Sequence, residues 1–294
     1  MTKKYLIADL HILIDCYDDA NLISTHKPYE YDFECPADIQ IHIKKSETEI
    51  EKSFKDVTKL CPGKYFSRSN GIDTVIDYDE SKGKIIAITE FKENCSVVDI
   101  TALNIKRLYD ISDKCFVANL IDSAMHYSIR SFDGIVFHSS ALSFSGEGVV
   151  FSAESGTGKS THTSLWLKQY PGSKVINDDT PIIRVHQDDS VMLYGTPWAG
   201  STGINQNEKV PLRAIVFLSR GAENKINHIS PGKVMQGFFD AMTSSLTPKM
   251  MLDTVDILNR ICLKVPAFSL ECNMDSSAAI CAKEFIFDKR FDIN

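Results

Sequence analysis

The chain has no C-x-x-C pair, no excess of basic residues, no low-complexity tract and no long apolar run, and each absence removes a class of protein. Its eight cysteines, at 16, 35, 61, 95, 115, 262, 272 and 281, are scattered. This spacing argues against a zinc site or a dense disulfide framework and fits reduced, mostly buried thiols in a cytoplasmic protein. The formal net charge is −7, so the chain lacks the basic stripe with which nonspecific nucleic-acid binders neutralise phosphates. No apolar stretch approaches the roughly 18–20 residues that a helix needs to cross a bilayer, so no membrane role is expected. The opening "MTKKYLIADLHILID" starts like a signal peptide, but Asp9, His11 and Asp15 interrupt it, and a first strand suits it better.

What is present describes a globular protein. With 294 residues, 43% hydrophobic and 24% charged, the chain can bury a sizeable core as one large domain or two ordinary ones. The first hundred residues read as β-rich. "DIQIHIKK" alternates with period two, and "DTVIDYDESKGKIIAIT" is two β-prone runs joined by a polar turn ending at Gly83. These imply a small, mainly antiparallel sheet. Phe116, Val117, Leu120, Ile121, Ala124 and Tyr127 then recur at helical spacing. The expected division is a β-rich domain over residues 1–130, ending in this linking helix, and an α/β domain over 131–294.

In the second part the order becomes strand, loop, helix, strand: "GIVFHSSALSF", "GVVFSA", a glycine-rich loop, "STHTSLWLKQY" and "SKVINDD". "TPIIRV", "VMLYG", "LRAIVFLS" and "AFSLEC" are further strand candidates, and helices are expected near Ser230-Pro231, near Pro248 and after Asp275.

The loop is "AESGTGKST": Ala153, Glu154, Ser155, Gly156, Thr157, Gly158, Lys159, Ser160 and Thr161. It satisfies the loose Walker A pattern, with Ala in the first slot where Gly is commoner. Between a strand and a helix, such a loop turns backbone N–H groups and the positive helix end toward an anion. Two glycines let the backbone approach phosphate oxygens, Lys159 adds a point charge, and the Ser160 hydroxyl is a ligand for Mg²⁺. About twenty residues on, "VINDDTPII" supplies Asp178 and Asp179 at a strand end, expected to face the loop. One carboxylate would hold Mg²⁺ and the other would accept a proton from an attacking hydroxyl. His138, in "VFHSSAL", stands at the expected end of the preceding strand. "GTPWAGSTG", residues 195–203, is either a loop closing over an acceptor or a tight hairpin with a packed indole. Arg213 and Arg220 flank "AIVFLS", and Arg213 is the better candidate of the two for neutralising charge on a transferred phosphoryl group.

"HSSA", the strand, "ESGTGKST" and "NDD" together resemble the nucleotide-binding core of phosphoenolpyruvate carboxykinases and HPr kinase/phosphorylases. The match is good over roughly residues 134 to 185. Weaker likeness to small HPr-kinase-related proteins runs through "GTPWAGSTGINQNEKVPLRAIVFLSRG" and "VPAFSLECNMDSSAAI". The resemblance implies a carboxykinase-like P-loop α/β core behind an N-terminal β-rich domain. It also implies ATP or GTP with Mg²⁺, and transfer of the γ-phosphoryl to a hydroxyl of a protein, peptide or small molecule. His138 would assist the metal or phosphoryl site and Lys159 would bind phosphate. Ser160 and an aspartate would hold Mg²⁺, with Asp178 the likelier base by analogy. No counterpart of the carboxykinases' oxaloacetate-binding region is present, and "GTPWAGSTG" replaces the glycine-rich signature that supports phosphorolysis in HPr kinase/phosphorylase. The N-terminal half offers no motif. Recognition of the acceptor or assembly into an oligomer is its expected role.

Overall fold

The structure, a computed structural model, describes residues 1–17, 24–105, 113–154, 156–200, 202–241 and 247–288. It divides into two compact units, Met1–Phe132 with Ser244–Met251, and Asp133–Thr243 with Leu252–Asn294.

The first unit is built on one eight-stranded sheet. Its strands in chain order are β1 (Thr2–Ile7), β2 (Leu10–Cys16), β3 (Ile39–Ser46), β4 (Thr58–Cys61), β5 (Lys64–Ser69), β6 (Ile72–Asp79), β7 (Lys84–Lys92) and β8 (Val97–Leu103). They lie in the order β1-β2-β3-β8-β7-β6-β5-β4. The opening segment is thus a hairpin rather than one strand, turning through Ala8 and Asp9, both at positive φ. The sheet is larger than the sequence suggests and is mixed, because β3 runs parallel to both β2 and β8. Alternation in β2 and β3 buries Ile12, Ile14, Ile39, Ile41 and Ile43. Helix α1 (Asp113–Ser128) buries Val117, Leu120, Ile121, Ala124 and Tyr127, and Tyr127 packs on Phe91 of β7 with ring centroids 5.0 Å apart.

The second unit is a layered α/β structure. In chain order it contains β9 (Gly134–Val136), β10 (Ser140–Phe144), β11 (Glu147–Ser152), α2 (Lys159–Gln169), β12 (Lys174–Asn177), β13 (Ile182–Val185), β14 (Val191–Tyr194), β15 (Lys209–Arg220) and β16 (Lys225–His228). After these come α3 (Pro231–Asp240), α4 (Pro248–Cys262, of which Leu252 onward belongs to this unit), β17 (Ala267–Cys272) and α5 (Ser276–Lys283). The twelve-residue β15 is the spine. It pairs parallel with β11 along one edge, and along the other with antiparallel β14 first and parallel β17 after it.

Both faces of the central strands are covered, so β11 reads as a continuous apolar run and not as an alternation. Val150 and Ile215 face a core completed by Val234 and Phe238 of α3 and Ile257, Leu258 and Ile261 of α4. Val149, Phe151, Ala214 and Val216 face one completed by Trp166 of α2 and Ala279 and Ala282 of α5. Asp275 caps α5, its carboxylate accepting from the Ser277 N–H at 2.9 Å.

None of the eight cysteines forms a disulfide. Only Cys16 is buried, while Cys35 and Cys115 are exposed, so the expectation of mostly buried thiols is corrected. No helix among the described residues is long and apolar enough to cross a membrane.

Gly148, the second residue of β11, sits where the sheet leaves no room for a side chain. A Cβ there would lie 2.6 Å from Leu193 Cδ2 and 2.7 Å from Val210 Cγ2. Gly148→Ala is expected to destabilise the protein by roughly 1–3 kcal/mol through overpacking, read as a lower denaturant midpoint. An unchanged midpoint would mean that Leu193 and Val210 repack without cost.

Candidate functional site

Strand β11 ends at Ser152 and the chain enters the glycine-rich loop. Ala153 is buried and Glu154 exposed, while Ser155 lies outside the described residues. Gly156 and Gly158 take φ of 78° and 125°, a region where any Cβ is strained. The first helical bond of α2 runs from His162 N–H to Gly158 O at 2.9 Å. The N–H groups of the first turn, at Lys159, Ser160 and Thr161, precede it and have no helical acceptor. Ser160 is exposed.

Lys159 turns back over the loop. Its ammonium donates to Ala153 O at 3.2 Å and to His138 Nε2 at 3.0 Å. An ammonium only donates, so Nε2 is bare and the neutral ring carries its proton on Nδ1. Nδ1 lies 3.2 Å from Asp179 Oδ1. Lys159 and His138 are thus hydrogen-bonded, and the Asp179 carboxylate approaches Nδ1 at ion-pair distance without hydrogen-bond geometry. Burial pushes the Lys159 pKa below its ordinary 10.5, and the charge of Asp179 only partly restores it.

The topology that assembles this cluster differs from a simple parallel sheet. "GIVFHSSALSF" is two strands, β9 paired with β13 and β10 paired with β11 and β12. His138 sits in the corner between them. Strand β10 runs antiparallel to both β11 and β12, so the C-terminal ends of β11 and β12 lie on the same side, one strand apart. Ser139 N–H donates to Asp179 O at 2.8 Å, Ser140 Oγ to Asp178 O at 3.2 Å and Ser152 Oγ to His138 O at 3.0 Å. The His138 corner is in this way stitched to β11 on one side and to the Asp178-Asp179 turn on the other.

The two carboxylates have different partners. Asp178 is 7% exposed and is held by the 195–203 loop. Its Oδ1 accepts from Gly200 N–H at 2.8 Å, and its Oδ2 from Thr202 N–H at 3.2 Å and from the Thr202 hydroxyl. Asp179 is the carboxylate that meets His138. The loop itself is anchored through Asn177, which is fully buried. The Asn177 carboxamide donates to Thr196 O and Oγ1, both at 3.1 Å, and to Trp198 O at 3.0 Å. Its oxygen accepts from Asp179 N–H at 2.9 Å and Thr180 N–H at 2.8 Å. Gly195 is required at the start of this loop, since a Cβ there would fall 1.8 Å from Gln206 O. Trp198 is 7% exposed, so Gly195 to Trp198 are packed and Gly200 and the exposed Thr202 are fastened to the acidic turn, while Ser201 lies outside the described residues.

The arginines are placed opposite to the sequence expectation. Strands β11 and β15 are parallel, and Arg213 lies beside Gly148 and Val149 at the start of β11, whereas Ser152 pairs with Phe217. Four residues of strand, roughly 13 Å, separate Arg213 from the loop end. There its guanidinium donates to Ile286 O at 3.2 Å and lies 3.6 Å from Glu147. Arg213 is therefore not brought together with the other site candidates. Arg220, at the far end of β15, reaches the loop instead and donates to Gly156 O at 2.5 Å and Thr157 O at 3.3 Å. A register count along two parallel strands would have found it.

Among the described residues no group of three or more His, Cys, Asp or Glu side chains could hold a metal by itself. The hard oxygen donors of Asp179 and Ser160 fit a cation that takes most of its ligands from nucleotide phosphates and water, as Mg²⁺ does.

No protein-family model matches the chain, and no curated protein matches it. Among solved structures it is similar to the HPr(Ser) kinase/phosphatase from Coxiella burnetii, at 13% identity over 44% of this chain and 92% of that one, with a TM-score of 0.23. A score of this size is too low to establish a shared fold.

Asn177→Ala removes the anchor of the 195–203 loop. Loss of its buried bonds is expected to cost roughly 2–4 kcal/mol and to shift tryptophan emission to the red as Trp198 becomes hydrated, while Trp166 stays buried in the core. Unshifted emission would show that the loop keeps its place without Asn177.

Proposed function

We propose that the chain is an ATP-dependent, Mg²⁺-requiring phosphotransferase that moves the γ-phosphoryl group to a hydroxyl, with a serine of a protein or peptide as the leading acceptor. The carrying observation is the cluster of Lys159, His138 and Asp179, closed over a loop whose free N–H groups suit an anion. Lys159 and the backbone N–H groups of the loop hold the phosphates. Ser160 and Asp179 would hold Mg²⁺, which would supply positive charge to offset that of the phosphates. His138 fixes the positions of Lys159 and Asp179.

Asp178 is the base. Its carboxylate accepts a hydrogen bond from the Thr202 hydroxyl, which supports placing an acceptor O–H there. An acceptor hydroxyl displacing Thr202 would be oriented on Asp178 and lose its proton as the phosphoryl group arrives. Catalysis on this reading is positioning and charge stabilisation. Arg220, already on the loop, takes the charge-neutralising role over Arg213.

The engagement of both Asp178 oxygens favours one competing reading, a nucleotide-binding regulator in which that carboxylate is structural. Incubation with γ-labelled ATP and a cell extract separates the two. Label on a protein band supports the proposal, and label in the small-molecule fraction makes the acceptor a small hydroxyl compound. Tight ATP binding without transfer favours the regulator. Asp178→Asn is expected to abolish transfer and leave nucleotide affinity within a few-fold; equal loss of both would remove it as base.

Lys159→Ala should weaken ATP binding about tenfold or more, the size of one charge-assisted contact. The wild-type affinity also carries a pH signature. Phosphate binds the ammonium form, and burial lowers the Lys159 pKa in the free protein. Affinity is therefore highest where Lys159 is protonated and falls as pH rises through a value below 10.5. Lys159→Arg, which stays protonated, should flatten that alkaline limb, and persistence of the limb would assign it to another group.

A further inference from the structure

On the phosphotransfer reading Thr202 gives way to an acceptor hydroxyl, yet the residue has the geometry of an acceptor itself. Thr202 is exposed, and its hydroxyl has a defined direction. It donates to Asp178 Oδ2, and its oxygen accepts from the Ile204 N–H at 3.3 Å. A threonine hydroxyl has one proton and two lone pairs. The proton is committed to the carboxylate and one lone pair to a peptide, while the second lone pair has no partner among the described residues. A hydroxyl that donates to a carboxylate and keeps a lone pair open is arranged as a nucleophile beside its base.

Fastening the loop does not need this hydroxyl. The N–H groups of Gly200 and Thr202 already donate to the two oxygens of Asp178. The backbone comes this close because residue 200 is glycine: a Cβ there would lie 3.1 Å from Asp179 Cβ and 3.3 Å from Asp178 Oδ2. From Thr202 the contacts then run without a gap to the glycine-rich loop. Thr202 lies on Asp178, Gly200 against Asp179, Asp179 beside His138, and His138 on Lys159.

We propose that Thr202 is a self-phosphorylation site: with a nucleoside triphosphate on the glycine-rich loop, the chain transfers the terminal phosphoryl group to its own Thr202. The inference rests on the phosphotransferase reading above and deepens it by naming an acceptor within the chain. Thr202 Oγ1 forms a bond to the terminal phosphorus, and the bond from that phosphorus to the bridging oxygen breaks. The nucleoside diphosphate leaves with the electron pair of the broken bond. The hydroxyl proton passes to Asp178, so the step needs no further reactant.

For the test, the purified whole chain is incubated with γ-labelled ATP and Mg²⁺ in the absence of any other protein, and the label is mapped by mass spectrometry of its peptides. The expected product is phosphothreonine at 202, formed at a rate per chain that does not change with protein concentration. Thr202→Ser keeps the hydroxyl and should turn the label into phosphoserine at the same position. Thr202→Val and Asp178→Asn should each abolish it. The wild-type map and the serine swap decide the question even if either of those two variants fails to fold. Label at another residue, undiminished label on Thr202→Val, or a rate per chain that rises with protein concentration would overturn the inference. Label on a protein of a cell extract with none on Thr202 would overturn it and leave the phosphotransferase reading standing. Failure of the wild type to bind ATP in a calorimetric titration would sink both.

Discussion

One buried carboxamide organises the proposed site. Asn177 ends strand β12 with its amide pointing into the 195–203 loop and its oxygen accepting from the two peptides after Asp178. Buried polar groups persist only when they are paired, and Asn177 is paired at both ends. The consequence is rigid coupling. The acidic turn and the loop form one body, and Asp178 is held by Gly200 and Thr202 as a result.

The second organising feature is the pair of parallel strands β11 and β15. Because helices cover both of their faces, no polar group on them escapes into solvent sideways, and chemistry is confined to their ends. At one end β11 opens into the glycine-rich loop and β15 ends at Arg220 on that loop. At the other, Arg213 is spent on Ile286 O and Glu147. The two arginines are seven residues apart in sequence and at opposite ends of the strand, so local context could not rank them.

Patterns that depend on near neighbours were readable. The alternation of "DIQIHIKK" gave β3, the helical spacing after residue 113 gave α1, Pro231 marked the start of α3, and Asp275 gave the α5 cap. The β9–β10 break was not readable. "GIVFHSSALSF" has no glycine or proline at Phe137 to Ser139, and only pairing with two different sets of strands divides it. The size of the first sheet was also hidden, because β4 and β5 are half-exposed strands with mixed side chains and no clean period. His162 carried no motif at all. Its place in the core comes from Trp166 one turn away, whose indole N–H donates to it.

The sequence by itself determined that a glycine-rich loop with a lysine follows an apolar strand and that two acidic residues follow a later one, because turn chemistry and strand periodicity are local properties. The tertiary structure decided which carboxylate meets His138, which is gripped by the Thr202 loop, and which arginine reaches the glycine-rich loop. Adjacent residues such as Asp178 and Asp179 point different ways, and only the folded neighbours select a partner for each. The reason is physical. Hydrogen bonds act over about 3 Å, and the groups brought within that reach at the site lie up to 64 residues apart in sequence, as Arg220 and Gly156 do.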